Sequence, residues 1–283
     1  MEQSRMESFE QHLGAAPLGK TQGYVDQHDP SLLYPIPRQA QREPLGVVAD
    51  QVLPFVGEDV WTAYEVSWLL PGGRPVVRVA EFRIPAQSPN IIESKSFKLY
   101  LNSLNQTRAS QSQVQQWLET HLSDAAGAPV DVKLMHLDDW IERDIKRPIG
   151  HCLDELEVDC DDLAAPQPAL LSASGDVVSE RLYSHLLKSN CPVTGQPDWA
   201  TVVVDYTGPK INPEGLLRYI VSYRRHNDFH EHCVEKMFLD LQERCHPEHL
   251  SVQARYTRRG GLDINPWRST SDQRAPDWRD VRQ

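Results

Sequence analysis

The segment Ser189-Asn190-Cys191-Pro192-Val193-Thr194-Gly195-Gln196-Pro197-Asp198-Trp199 sets a thiol and a carboxylate near each other in a stretch that cannot be regular. Pro192, Gly195 and Pro197 forbid a continuous helix, so the chain must bend and can bring Cys191 and Asp198 to one small site. A thiolate is the best nucleophile among the side chains, and a neighbouring acid can hand a proton to whatever the sulfur attacks. The plainer reading is a buried free cysteine beside a loop aspartate.

The totals narrow the choice. With 283 residues, 40% of them hydrophobic, the chain can build the cores of one large or two ordinary domains. A formal net charge of −11 opposes a general nucleic-acid binder, which needs a basic face, but leaves room for a local basic pocket holding a phosphorylated small molecule. Cys152, Cys160, Cys191, Cys233 and Cys245 are odd in number and contain no CxxC pair. They read as free thiols of a reducing cytosol, and a CxxC-type zinc site is not expected. No signal-like segment opens the chain, and no apolar run approaches the roughly 18 residues needed to cross a bilayer. The expectation is a cytoplasmic protein with no membrane and no direct nucleic-acid contact.

Several elements must position that bend. Residues 1–45 are polar and proline-rich, which predicts an irregular arm over the surface. Tyr64, Val66, Trp68 and Leu70 alternate, Pro71-Gly72-Gly73-Arg74-Pro75 turns, and Val77, Val79, Phe82 and Ile84 carry the return strand of a hairpin. Phe97, Tyr100, Leu101 and Leu104 have helical spacing, as do Val114, Trp117, Leu118 and Leu122, whose helix closes near Gly127. Val130, Val132 and Leu134 then alternate as a strand. These elements make a first module over 46–140, followed by an acidic connection over 141–180 in which Cys152 and Cys160 are incidental thiols.

The second module, 181–283, repeats the order. Thr201 to Tyr206 is a strand, and Asn212-Pro213 is a helix cap with proline at the first helical position. Leu216, Leu217, Ile220 and Val221 face inward. After the polar break Arg224-Arg225-His226-Asn227-Asp228, a second helix buries Val234, Met237, Phe238 and Leu241, with Cys233 and Cys245 as structural thiols. Leu250, Val252, Ala254 and Tyr256 form a strand ending at Arg258-Arg259-Gly260-Gly261. Residues 97, 100, 101 and 104 match 234, 237, 238 and 241 at one constant offset, which reads as an internal duplication. That offset sets Glu93 over His230, and a slip of one sets it over Glu231, so both halves place a carboxylate just before a similar helix. A helix start offers exposed N–H groups that, with an acid, can grip a polar ring.

Glu93-Ser94-Lys95-Ser96-Phe97-Lys98-Leu99-Tyr100, Ser189-Asn190-Cys191 with Asp198, Phe229-His230-Glu231, and Arg258-Arg259-Gly260-Gly261-Leu262-Asp263-Ile264-Asn265-Pro266-Trp267-Arg268 together resemble the NADPH-dependent 7-cyano-7-deazaguanine reductases, the nitrile reductases of queuosine biosynthesis, in their long two-module form. The likeness runs from Leu18-Gly19-Lys20 to Trp267. It implies an α+β fold of tandem tunnelling-fold modules, each an antiparallel four-stranded sheet with two helices on one face. Such modules associate through their sheets into a barrel, and a homodimer is the implied assembly.

The resemblance also implies chemistry. Cys191 would add to the nitrile carbon to give a covalent thioimide, and Asp198 would protonate the nitrogen. Ile92, Glu93, Ser94, His230 and Glu231 would hold the substrate, a carboxylate being the natural partner for the N–H edge of a deazaguanine. Ser94, Lys95, Arg259 and Gly260 would bind NADPH as co-substrate, in a reaction without metal.

On the residues alone, alternatives stand beside these. No GxGxxG supports a dinucleotide site. Arg258-Arg259 reads equally as a solvated strand end. His226, His230 and His232 could ligate a metal, as in zinc-dependent tunnelling-fold enzymes, or His230 could be a satisfied core histidine. A purine-binding protein without catalysis is a third class.

Overall fold

The computed structural model of the protein describes residues 23–49, 51–141 and 145–283. Leu18-Gly19-Lys20, with the rest of residues 1–22 of the expected arm, lie outside the described residues. The described residues fall into two compact units, one taking those within Met1–Val52, Asp59–Arg143 and Arg259–Asp263, the other Leu53–Glu58, Asp144–Arg258 and Ile264–Gln283. Both mix helices with antiparallel sheet.

In chain order the first unit carries β1 (Pro35–Pro37), α1 (Gln39–Arg42), β2 (Val56–Leu69, from Asp59 onward), β3 (Pro75–Pro85), β4 (Asn90–Ile92), α2 (Ser94–Ser103), α3 (Gln111–Ala126), β5 (Asp131–Met135) and α4 (Leu137–Ile141). Its main sheet has the order β5-β3-β2, and β3 runs antiparallel to β5 from Val79↔Met135 to Arg83↔Asp131. The hairpin read from the alternation is there, closed by the Leu70 N–H donating to Arg74 O at 2.9 Å. Both helices also form where the spacing places them. Ser110 and Gln113 make a capping box at the start of α3, and Gly127 caps its end. Phe97 packs edge-on against Trp61 and Phe82, at 5.1 and 5.0 Å between ring centres.

Part of the expected irregular arm is built into this unit. β1 pairs antiparallel with β4, Ile36 is fully buried, and buried Arg38 donates to buried Asp59 at 2.6 Å. Proline density read as irregularity because β1 begins and ends on proline. A strand bonded along a single edge tolerates that.

The second unit carries β6 (His151–Cys152), β7 (Ala173–Asn190), β8 (Pro197–Ile211), α5 (Pro213–Val221), α6 (His230–Cys245), β9 (His249–Tyr256) and β10 (Leu262–Ser269, from Ile264 onward). The sheet order is β10-β9-β8-β7-β6, antiparallel except for the parallel β6–β7 pair. Asn212 caps α5 by accepting from the Glu214 and Gly215 N–H groups, with Pro213 at the first helical position as its sequence predicts. Leu216, Leu217 and Ile220 of α5 and Val234, Met237, Phe238 and Leu241 of α6 are buried.

Besides the two-residue β6, two strands here escape the sequence reading. β7 starts at Ala173, within the stretch read as an acidic connection, and two register shifts break its alternation, at Ser174/Val177 and Ser184/Leu187. β10 contains Pro266 and is buried at every residue, polar ones included. The helix match behind the duplication is also corrected. Both units run strand, strand, helix, helix, strand, so α2 corresponds in order to α5 and α3 to α6, whereas the constant offset pairs α2 with α6. Any two amphipathic helices share a 3.6-residue apolar pattern, and that is what the offset detected.

Candidate active site

The β7–β8 turn is set by its own sequence. Gly195 N–H donates to Cys191 O at 3.0 Å and Cys191 N–H to Gln196 O at 2.9 Å, closing a tight loop in which Gly195 takes φ +65°, a conformation that side chains disfavour. The register of the strands then fixes Ser189 opposite Asp198 and Asn190 opposite Pro197. Cys191 thus sits one residue beyond β7 and Asp198 one residue inside β8, and both are buried.

The start of α6 is tied to the same place by backbone pairing. Asn190 N–H donates to His226 O at 2.8 Å, Asp228 N–H donates to Asn190 O at 3.0 Å, and the Asn190 side-chain amide donates to Asn227 Oδ1 at 2.9 Å. This brings His230, first residue of α6, to Asp198: His230 Nε2 lies 3.3 Å from Asp198 Oδ2. The imidazole stacks on Tyr256, and its Nδ1 is buried with no hydrogen-bond partner among the described residues. Glu231 follows in the first helical turn and is 4% exposed.

The other two histidines of the segment face elsewhere. His226 Nε2 contacts Asp228 Oδ2 at 3.2 Å, and His232 Nδ1 contacts the same oxygen. Burial alone would raise Asp228, but His232 and His226 outweigh it and hold the carboxyl well below the usual carboxylate range. His226, His230 and His232 therefore answer to two different aspartates and do not converge as one ligand set. Lys188, on β7 near Asp198, bonds Asn190 Oδ1 and Arg224 O. Burial and the Arg224 charge press its ammonium down, with Asp198 opposing.

In the first unit, Ile92 ends β4 and is buried, and Glu93 is the N-cap of α2. Its carboxylate accepts from the Lys95 and Ser96 N–H groups, both at 2.7 Å. Burial raises Glu93 above the ordinary glutamate range, while those two N–H groups and the charges of Lys98 and Lys95 pull it back. Ser94 and Lys95 open the helix and are half-buried. Arg259 N–H donates to Leu262 O at 2.9 Å, forming a turn that lays Gly260 against the Lys98 chain, where a Cβ would meet Cδ at 3.3 Å. Ser94, Lys95, Lys98, Arg259 and Gly260 thus bring to this unit three basic residues, a hydroxyl at a helix start and a glycine at φ +64°. That donor set suits a phosphorylated nucleotide.

The sequence missed Tyr256, Asp228 and Lys188 as parts of the site. By sequence Tyr256 is only a strand residue and Asp228 only part of a polar break. No spacing signal marks them, since their contacts come from β9, from the loop before α6 and from β7. Lys98 stands inside the Glu93–Tyr100 motif and could have been taken from it.

Two family profiles match the chain: "Nitrile reductase, 7-cyano-7-deazaguanine-reductase N-term" over residues 24–134 and "QueF-like protein" over residues 197–275. Glu93, Ser94 and Lys95 lie in the first span, and Asp198, His230, Glu231, Arg259 and Gly260 in the second. Cys191 lies just before the second. A protein of Azoarcus sp. (strain BH72) is 56% identical over 95% of this chain and 96% of its own length, and one of Dechloromonas aromatica (strain RCB) is 58% identical over 95% of both. A third, of Chromohalobacter salexigens, is 53% identical over 96% of this chain and 97% of its own. Each is named NADPH-dependent 7-cyano-7-deazaguanine reductase. The solved apo archaeosine synthase QueF-Like overlaps 35% of this chain and 99% of its own at a TM-score of 0.31 and 18% identity, a likeness too slight to bear on the fold. With more than half of its residues shared over nearly its whole length, the chain belongs to the NADPH-dependent 7-cyano-7-deazaguanine reductase family.

Proposed function

We propose that this protein reduces the nitrile of 7-cyano-7-deazaguanine to the aminomethyl group of 7-aminomethyl-7-deazaguanine, at the expense of two NADPH and two protons, in queuosine biosynthesis. The observation that carries the reading is the contact of Asp198 with His230 beside the turn that buries Cys191. Cys191 Sγ adds to the nitrile carbon while Asp198 delivers a proton to the nitrogen, giving a thioimide, and the thiol's own proton re-protonates Asp198. NADPH supplies hydride to carbon twice in succession. After the first hydride and a proton reach the C=N group, the C–S bond breaks, the sulfur recovers a proton and an imine remains. The second hydride and proton give the amine. Covalent capture keeps the half-reduced substrate in place while the nucleotide exchanges, which is why a reductase benefits from a nucleophile.

Several features support the residue roles. Asp198 next to an imidazole has a local route for proton recovery. The orphan Nδ1 of His230 is a group that a bound polar ring would satisfy. Ile92, Glu93, Ser94, His230 and Glu231 as substrate ligands, Ser94, Lys95, Arg259 and Gly260 as NADPH ligands, a metal-free reaction, the tandem tunnelling-fold modules of 46–140 and 181–283 and the homodimer are proposed from the family resemblance, and the cytoplasmic location from the free thiols. No helix of the described residues is long and apolar enough to cross a membrane.

The test is intact-protein mass spectrometry after mixing with 7-cyano-7-deazaguanine in the absence of NADPH. A gain of one ligand mass on the wild type and none on Cys191→Ala is the expected result. Wild-type turnover by Cys191→Ala would overturn the nucleophile assignment.

A further inference from the structure

Away from the β7–β8 turn, one donor from each of Cys152, Asp154 and His185 lies within 4.8 Å of the other two, the one such group of three found among the described residues. The strands bring them together. Parallel pairing sets Cys152 opposite Tyr183, and Leu153 N–H donates to Tyr183 O at 2.9 Å. The next residue, Asp154, accepts from Ser184 Oγ at 2.6 Å and from the His185 N–H at 3.2 Å. All three side chains are half-buried, open enough for an ion to enter.

The hydrogen bonds around His185 decide its tautomer. Thr201 Oγ1 donates to Asp280 Oδ2 and accepts from Arg282 Nη2 at 2.6 Å, which uses its only proton. Its 2.8 Å contact with His185 Nδ1 must therefore be an N–H donation from the imidazole. In the neutral ring that leaves the lone pair on Nε2, the nitrogen that takes the ion in the site proposed below. A histidine whose second nitrogen is anchored to an oxygen is the arrangement that orients a metal ligand.

We propose that Cys152, Asp154 and His185 form a binding site for a zinc-class divalent transition metal, with water in the fourth position. Thiolate, imidazole and carboxylate together suit such an ion, whereas calcium and magnesium require oxygen donors alone. Binding releases the Cys152 thiol proton to solvent and clips the short β6 segment to β7. The site rests on no part of the reductase reading and takes no part in hydride transfer.

The experiment is titration of metal-free protein with Co2+ as a coloured probe, followed by Zn2+. The expected result is one equivalent of Co2+ with a thiolate-to-cobalt charge-transfer band, displaced by Zn2+, absent in Cys152→Ser and unchanged in Cys160→Ser, whose thiol is equally half-buried. Thr201→Val, which touches no ion, should weaken binding about tenfold or more by freeing the His185 ring. A band that persists in Cys152→Ser means an adventitious ion only and overturns the proposal, as does a wild type that binds no ion. If Cys152→Ser does not fold by circular dichroism, His185→Gln replaces it, and wild-type affinity in that variant overturns the site.

Discussion

His230 lies flat on Tyr256, the ring centres 3.7 Å apart and the planes 6° from parallel. A ring stacked this way cannot tilt freely, so the phenol on β9 fixes where His230 Nε2 meets Asp198. Replacing the aromatic face with Tyr256→Leu should lower kcat about tenfold or more through misplacement of the imidazole, with KM little changed, whereas Tyr256→Phe should stay near wild type. Steady-state kinetics of the two variants checks this. Equal loss in both would assign the effect to the hydroxyl instead.

In the proposed mechanism Asp198 donates a proton, and Asp198→Asn keeps the shape of the site while removing that proton. Turnover should fall by about 10²–10⁴, the usual worth of a positioned acid, while calorimetry should show the substrate still bound. An unchanged rate would remove Asp198 as proton donor.

Glu93 gives a pH signature of opposite sign to a salt-bridged acid. Burial raises its pKa in the folded state, so its contribution to stability is fully present below its ordinary value of 4.5 and is lost as pH rises through the raised value. Glu93→Gln, which still offers an oxygen to cap α2, escapes that loss. Urea unfolding of wild type and variant should therefore show the difference moving in favour of the variant between pH 4.5 and 8. A shift the other way would mean that the charged cap outweighs burial.

Arg268 and Glu235 form a buried ion pair at 2.7 Å, at 0% and 3% side-chain exposure. Glu235→Gln removes the carboxylate that faces the buried guanidinium and should cost about 3–5 kcal/mol in chemical denaturation. The double variant Glu235→Leu/Arg268→Met removes both charges and should recover much of that cost. Equal destabilisation of the single and double variants would show that Arg268 acts through packing on Phe55, 5.6 Å below it, rather than through the pair.

What the sequence determined by itself was local. Pro192, Gly195 and Pro197 compel the turn at Cys191, Asn212-Pro213 starts α5, Gly127 ends α3, and the Glu93–Tyr100 and Ser189–Asp198 motifs mark the family. In each case the deciding interactions run between residues a few positions apart, so side-chain type and spacing carry the information. Only the tertiary structure decided which histidine faces which acid. His230 meets Asp198 because Asn190 pairs with the loop before α6, and His226 and His232 are drawn to Asp228 instead. It also decided the strands that periodicity missed. The shifts in β7 destroy alternation, and β10 buries Asp263, Asn265 and Arg268 because Tyr64, the Tyr256 N–H and Glu235 satisfy them. Burial of a polar side chain depends on a partner supplied by distant chain, and no local pattern encodes that.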